Sequence, residues 1–187
     1  LLSRDQGIVT SQKISDASGL TEKEFKQFAR WGLCECMLGR AAIVVEGLTE
    51  FHAIPVAAGR MESAEEDVTG GHALDILGVT FFYAGGESNM PKFGKFFKAL
   101  GLHTSAFYDR NPKRAESATK AFATAYDINV EHGEKGFENL IANEMPVARL
   151  WAFLVTLRDG ADGEDLGIPA AQPDDTQVRK LASMTFR

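Results

Sequence analysis

Residues 41–46, AAIVVE, form a short unbroken apolar run that ends on an acid. A strand buried on one face alternates apolar with polar residues, whereas a strand covered on both faces shows no alternation. The run therefore points to the interior of a parallel sheet, whose neighbouring strands are joined by crossover helices. That commits the surrounding chain to an α/β arrangement. The ending is the unusual part. Glu46 closes the run, Gly47 follows, and a second acid stands at Glu50. A carboxylate at the end of a core strand loses water and needs a partner.

The chain on either side continues the alternation. Thr21-Glu22-Lys23-Glu24 has the form of a capping box. Phe25, Phe28, Trp31 and Leu33 are spaced for one face of a helix that runs on through Cys34 to Leu38 and breaks at Gly39. A helix is expected from about Leu48 or Thr49 to Ala58, and Ser63-Ala64-Glu65-Glu66 offers a second capping box, interrupted by Gly70 and Gly71. Residues 78–86, GVTFFYAGG, read as a second strand ending in a glycine turn. Pro91 suits the first turn of the next helix and Gly101 its end. Between them Phe93, Phe96, Phe97 and Leu100 make an apolar stripe, with Lys92, Lys95 and Lys98 off it. Residues 103–111, HTSAFYDRN, read as a third strand finishing on Asp109. A helix from Pro112 to about Tyr126 follows, then a fourth strand near Ile128 to Glu131. GFENLIANEMP reads as a helix closed by Pro146. Beyond it come a helical opening around Trp151 to Leu157, a long exposed loop and a last helix near Thr176. The expected fold is α/β, a mostly parallel sheet of about four strands flanked by helices, with a helical annex from the N- and C-terminal segments.

With 187 residues, 44% hydrophobic and 25% charged, the chain suits one sizeable globular domain with a small appendage. No apolar stretch approaches the ~20 residues of a membrane helix, and nothing at the start resembles a signal peptide. A cytoplasmic protein with no membrane partner is expected. The first residue is Leu, so a piece of a longer polypeptide is expected too. The only cysteines, Cys34 and Cys36, are too close together for a disulfide framework and match no zinc ligand set, so they read as core or helix-face thiols. A net charge of -6 argues against coating nucleic acid by charge alone. It leaves room for an enzyme that meets phosphate through bound metal.

In open parallel sheets, ligands bind beyond the carboxyl ends of the strands. Glu46 and Asp109 both stand at such ends, on strands able to neighbour each other, and Glu50 is one helical turn beyond Glu46. Like charges 4 Å apart repel by roughly 4 kcal/mol at an effective dielectric of 20. Three converging acids therefore need raised pKa values or a cation among them. Hard oxygen ligands without a His or Cys cluster suit Mg²⁺ or Mn²⁺. The alternative is that Glu46 caps a helix N-terminus and Asp109 pairs with Arg110 or Arg114, which requires a separate reason at each strand end.

The blocks VVEGLTE, FYAGGESNMPKFGKFFKALGL and AFYDRN, in this order and spacing, resemble the Toprim domain of the OLD (overcoming lysogenization defect) family of nucleases. Such sequences run strand, V-E-G-x-T-E, helix; strand, a-G-G-[KE]-S-N, helix; strand, D-x-D. The resemblance covers about residues 35–145. It implies a Toprim-like (Rossmann-like) fold with residues 1–40 as a helical lead-in, 41–146 as the Toprim domain and 147–187 as a helical and loop extension packed on it. It implies cleavage of DNA with two divalent ions, Mg²⁺ or Mn²⁺, by a module serving phage defence or DNA processing beside an ATPase domain or subunit. A homo-oligomer formed through that ATPase region belongs to the same expectation. Glu46, Glu50 and Asp109 take the family's ligand positions. Glu138 matches a later acid of the family, although an acid in the first turn of a helix is favourable without any ligand. One departure stands out: the family's D-x-D is Asp109-Arg110-Asn111 here, which offers a neutral oxygen in place of a charge.

Gly85 and Gly86 suit either close backbone approach to a phosphate or a tight turn. Ser88 and Asn89 are read first as caps of the following helix and second as phosphate donors. Lys92, Lys95 and Lys98 suit a DNA backbone or a solvated helix face equally. Lys180 is the one candidate for the active-site lysine that the resemblance implies. His52, His72, His103 and His132 are scattered singly and read as structural, though His52 lies on the helix after Glu46. There is no P-loop and no nucleophile triad motif. Beside the nuclease stands a second reading, a degenerate Toprim module that binds nucleic acid or a partner without efficient cleavage. A third, a topoisomerase-like or primase-like chemistry, ranks below both, because Tyr83, Tyr108 and Tyr126 all fall within expected core elements.

Overall fold

The structure is a computed structural model that describes residues 2–5, 8–11, 19–28, 32–69, 74, 76–160 and 167–185; for 2–5, 8–11 and 61–69 only the backbone course is described. Trp31, Gly70, Gly71 and His72 lie outside the described residues. The chain divides into two compact units, Leu1–Glu131 and His132–Arg187. This division falls ahead of the helix in GFENLIANEMP, which the sequence reading grouped with the sheet.

The first unit opens with β1 (Leu2–Asp5) and β2 (Ile8–Ser11), an antiparallel pair. Residues expected in a helical lead-in thus form a hairpin here, in keeping with the β-branched Ile8, Val9 and Thr10. Next comes α1 (Glu22–Phe28). Its capping box is formed: the Thr21 N–H donates to Glu24 Oε2 at 2.8 Å, and the Glu24 N–H donates to Thr21 Oγ1 at 3.3 Å. A short α2 (Cys34–Cys36) leads to β3 (Ala41–Val45). Then follow α3 (Leu48–Thr69), β4 (Val79–Tyr83), α4 (Met90–Ala99), β5 (His103–Tyr108), α5 (Glu116–Ala125) and β6 (Ile128–Glu131).

The sheet is four-stranded and parallel throughout, in the order β4-β3-β5-β6. This is a Toprim-like α/β sheet flanked by helices. From β3 the chain travels by α3 to β4 on one side, and from β5 it travels by α5 to β6 on the other. The carboxyl ends of β3 and β5 therefore flank a topological switch point, the place where such sheets open a crevice.

α3 extends eleven residues past the expected end at Ala58, to Thr69. Ser63, read as the start of a new helix, lies inside it, because a local box pattern is also compatible with a helix interior. Pro55 removes one backbone donor from this helix without ending it. α5 starts at Glu116 rather than Pro112. Asn111 draws the preceding residues into a turn, its Oδ1 accepting the Lys113 N–H at 3.1 Å and its backbone oxygen accepting the Arg114 N–H at 3.0 Å.

The core of this unit is aromatic. Phe82 of β4 packs on Phe93 and Phe97 of α4, with ring centroids 4.5 and 5.4 Å apart, and Phe28 of α1 meets Phe93 edge-on at 4.6 Å. Cys36 is buried and Cys34 exposed, with no disulfide between them. Gly94 lets α4 approach α5: a Cβ there would lie 2.6 Å from the Tyr126 ring and 2.8 Å from the Ala125 carbonyl oxygen.

The second unit holds α6 (Phe137–Glu144), α7 (Val147–Gly160) and α8 (Asp175–Thr185) around Ala142, Leu150, Leu154, Ile168, Val178 and Ala182. Arg179 of α8 donates to the carbonyls of Ala142, Asn143 and Met145, satisfying the free C-terminal end of α6. Among the described residues no single helix is long and apolar enough to cross a membrane; α6 and α7 pass that test only as a pair bent by 118°.

Gly94→Ala is expected to cost about 1–3 kcal/mol of unfolding free energy, the usual range for overpacking, measured by urea denaturation. A variant as stable as the parent would show that α4 and α5 are not in this register.

Candidate metal centre

Three acids stand at the carboxyl ends of β3 and β5, each positioned by a different local rule. Glu46 follows the last residue of β3. It is half-buried, and its Oε2 accepts the Asp109 N–H at 3.4 Å, which ties the ends of the two central strands together. Asp109 follows the last residue of β5 and is half-buried as well. Glu50 lies in the first turn of α3 and is only 4% exposed. One carboxylate oxygen of Glu50 and one of Asp109 lie within 4.8 Å of each other.

Gly47 explains how Glu50 reaches this place. The Gly47 carbonyl accepts the Phe51 N–H at 3.2 Å, which makes Gly47 the residue that caps α3 and places Glu50 three positions into the helix. The positive end of the helix favours an acid there. A Cβ on Gly47 would overlap Glu50 Oε2, so the glycine leaves the space into which the carboxylate folds. The Glu-Gly pair is thus a steric unit.

Burial raises the pKa of Glu46 above its ordinary value of 4.5, and the negative charge of Asp109 raises it further; the hydrogen bond from the Asp109 N–H and the positive charge of Arg114 only partly oppose this. A divalent cation beside these acids would lift the same penalty. The Glu50 and Asp109 carboxylates are hard oxygen donors, which fit Mg²⁺ or Mn²⁺.

The glycine turn after β4 braces the site. Gly85 and Gly86 take positive φ angles of 73° and 115°, and the Gly86 N–H donates to the Glu46 carbonyl at 3.1 Å. Asn89 does not cap α4 with its side chain; its Nδ2 reaches back to the Ala84 carbonyl at 3.1 Å. Ser88 is exposed and makes no side-chain cap either. Lys92 pairs with Glu24 of α1 and Lys98 with Asp127 at 2.7 Å, while Lys95 is exposed. The three lysines are therefore not one uncommitted track. Asn111 points its Nδ2 at Glu87 Oε2, 2.8 Å away, and commits its Oδ1 to the Lys113 N–H. Glu138 and Lys180 belong to the second unit, in the first turn of α6 and on the exposed side of α8. His132, buried, follows Glu131 of β6 directly.

Sequence reasoning gave no role to Glu87 or Glu131 and considered Arg114 only as a partner of Asp109, whose backbone oxygen it does reach. Arg114 is paired with Glu87 and, at 2.7 Å, with Glu131, and its side chain is 7% exposed. Burial works against the charge on Glu87, yet hydrogen bonds from Arg114 and Asn111 outweigh it and hold its pKa below 4.5. The signal for Glu131 was present: it ends the fourth strand as Glu46 follows the first apolar one.

An open parallel sheet that gathers acids at its switch point has the architecture of an acidic divalent-metal site. Residues 37–110 match the family described as overcoming lysogenization defect protein-like, TOPRIM domain. The matched stretch contains Glu46, Glu50, Asp109 and the glycine turn, whereas Asn111 and Glu138 lie beyond it. Comparison with curated proteins and with solved structures gives no match. An OLD-like Toprim domain implies a metal-dependent module for nucleic-acid cleavage.

Two outcomes follow from this geometry. Gly47→Ala should change unfolding free energy by less than about 1 kcal/mol, because only a flexible side chain must move, while Mn²⁺ affinity measured by calorimetry drops; an unchanged affinity would mean that Glu50 is not a ligand. The second concerns pH. Because the folded-state pKa of Glu46 lies above 4.5, the native state holds the extra proton, and metal-free stability falls as pH rises from 4.5 through the raised value. In EDTA, Glu46→Gln should be more stable than the parent at pH 7, with the difference vanishing below pH 4.5; a less stable variant at pH 7 contradicts the assignment.

Proposed function

We propose that this Toprim domain is a divalent-metal-dependent DNA endonuclease module that hydrolyses phosphodiester bonds at Glu46, Glu50 and Asp109. The observation that carries the reading is the convergence of the Glu50 and Asp109 carboxylates at the β3–β5 switch point, with Glu46 tied to the same strand end. Glu46, Glu50 and Asp109 would hold Mg²⁺ or Mn²⁺, two ions in the fullest form of this reading. When bound, the metal supplies Lewis acidity at the phosphoryl group and charge for the leaving oxygen.

The chain's own contribution is preorganisation. Two adjacent strands deliver Glu46 and Asp109 on rigid backbone, and a helix start delivers Glu50, so the acids converge before a substrate arrives. The glycine turn holds the Glu46 carbonyl and keeps one side of the crevice low enough for a sugar-phosphate backbone to approach. Gly85, Gly86 and Ser88 form that wall, and Lys92 joins it when its pairing with Glu24 opens. An ATPase domain or subunit, on this reading, controls when DNA reaches the site, and any homo-oligomer forms through that partner.

A second reading, favoured by the engaged side chain of Asn111, is a Toprim module that docks nucleic acid or a partner without efficient cleavage. Asn111→Asp separates the two: a gain in Mn²⁺ affinity and cleavage supports a weakened nuclease, and no gain favours the docking module.

The direct test is nicking of supercoiled plasmid with Mg²⁺ or Mn²⁺. Glu46→Gln and Asp109→Asn should each lower the rate by ~100-fold or more, the scale of losing one charge-stabilising group, with folding checked by circular dichroism. Cleavage untouched by both substitutions would overturn the proposal.

A further inference from the structure

Five carboxylates crowd the carboxyl rim of the first unit's sheet: Glu46, Glu50, Glu87, Asp109 and Glu131. Their treatment is unequal, and Arg114 makes the difference. It sits in the turn between β5 and α5, and its guanidinium lies over the rings of Tyr108 and Phe122, 4.6 and 5.2 Å from their centroids. All three of its guanidinium nitrogens are committed. Nε donates to Glu87 Oε1, Nη1 to Glu131 Oε1 at 2.7 Å, and Nη2 to the backbone oxygen of Asp109 at 3.0 Å. Asn111 completes the arrangement, with Nδ2 on the other oxygen of Glu87 at 2.8 Å and its backbone N–H on Glu131 Oε1 at 3.4 Å. Both oxygens of Glu87 therefore carry protein donors.

A planar guanidinium held over two packed rings, with all three nitrogens engaged, cannot rotate to follow a substrate, and its fork fixes the direction of every donor. It acts as a stationary positive charge. A neutral residue at Asn111 belongs to the same device, because an Asp there would face Glu87 with a like charge where Asn donates a hydrogen bond.

We propose that Arg114 is the positioning residue of the metal centre: a built-in cation that withdraws Glu87 and Glu131 from the acidic rim and anchors the backbone of Asp109, leaving Glu46, Glu50 and Asp109 for the divalent ion. This rests on the metal-dependent reading above. Arg114 touches neither ion nor substrate. Its effect is to set which acids are available, and so how many ions the rim takes up.

The test is Mn²⁺ binding to the full chain, followed by isothermal titration calorimetry and by the electron paramagnetic resonance signal of free Mn²⁺. The double variant Glu87→Gln/Glu131→Gln, with Arg114 intact, should keep the parent stoichiometry, since neither acid holds the ion. Arg114→Met keeps an unbranched apolar stem against the rings of Tyr108 and Phe122 and frees both acids, so it should take up an additional, weaker Mn²⁺. That additional ion should disappear in the triple variant Arg114→Met/Glu87→Gln/Glu131→Gln. Loss of the parent Mn²⁺ in the double variant overturns the proposal, and so does a folded Arg114→Met with unchanged stoichiometry. Should Arg114→Met fail to fold, the double variant alone decides. A parent chain that binds no Mn²⁺ at all sinks the metal reading and this inference with it, whereas a parent that binds and a double variant that does not sinks this inference alone.

Discussion

The parallel pairing of β3 with β5 brings together Glu46 and Asp109, 63 residues apart in the chain, and nearly everything else at the rim answers the repulsion this creates. Two central strands in register cannot splay their ends apart without breaking ladder hydrogen bonds, so the acids that follow them stay close whether or not their charges are balanced. Balance comes from several sources: the Asp109 N–H turned toward Glu46, the start of α3 under Glu50, and Arg114 among Glu87, Glu131 and the Asp109 carbonyl. What remains is a half-buried, proton-hungry Glu46 beside two further acids, a local excess of negative charge suited to a small hard cation.

Glycines shape the rim as much as the acids do, each for a separate reason. Gly47 is required for space, since a side chain there would displace the Glu50 carboxylate. Gly85 and Gly86 are required for backbone conformation, and their turn holds the end of β3 through the Glu46 carbonyl. Gly94 lies far from the chemistry and is required for packing, since Tyr126 occupies the volume its side chain would fill. Its role reaches the site indirectly. α4 links β4 to β5, and the phenylalanine cluster it carries holds that connection against the sheet.

The alternation of apolar runs and amphipathic helices was legible in the sequence because burial on both faces leaves no room for polar residues in AAIVV, and Phe93, Phe96 and Phe97 can share a face only in a helix. The strand expected near Ile128 to Glu131 ends at Glu131, whereas those expected over 78–86 and 103–111 stop earlier, at Tyr83 and Tyr108. Helix ends were less legible. The stop expected at Ala58 and the start expected at Ser63 merged into one helix, because local capping signals state what a segment tolerates and not what its neighbours impose. The partners of Asn89 and Lys92, the Ala84 carbonyl and Glu24, were not legible for a related reason: they come from a turn geometry and from a helix 68 residues away.

The sequence by itself determined that acids would follow core strands, that glycines would stand at two of the strand ends, and that an α/β sheet would present both at one edge. These are consequences of hydrophobic periodicity and of the conformations each residue type allows, which act over a few residues. Only the tertiary structure decided which acids share the crevice and which are neutralised by the protein itself. Strand order placed β3 beside β5, and the stacking of Arg114 on Tyr108 and Phe122 directed its charge to Glu87 and Glu131. Electrostatic pairing depends on distance in space, and distance in space is set by packing that no short stretch of sequence contains.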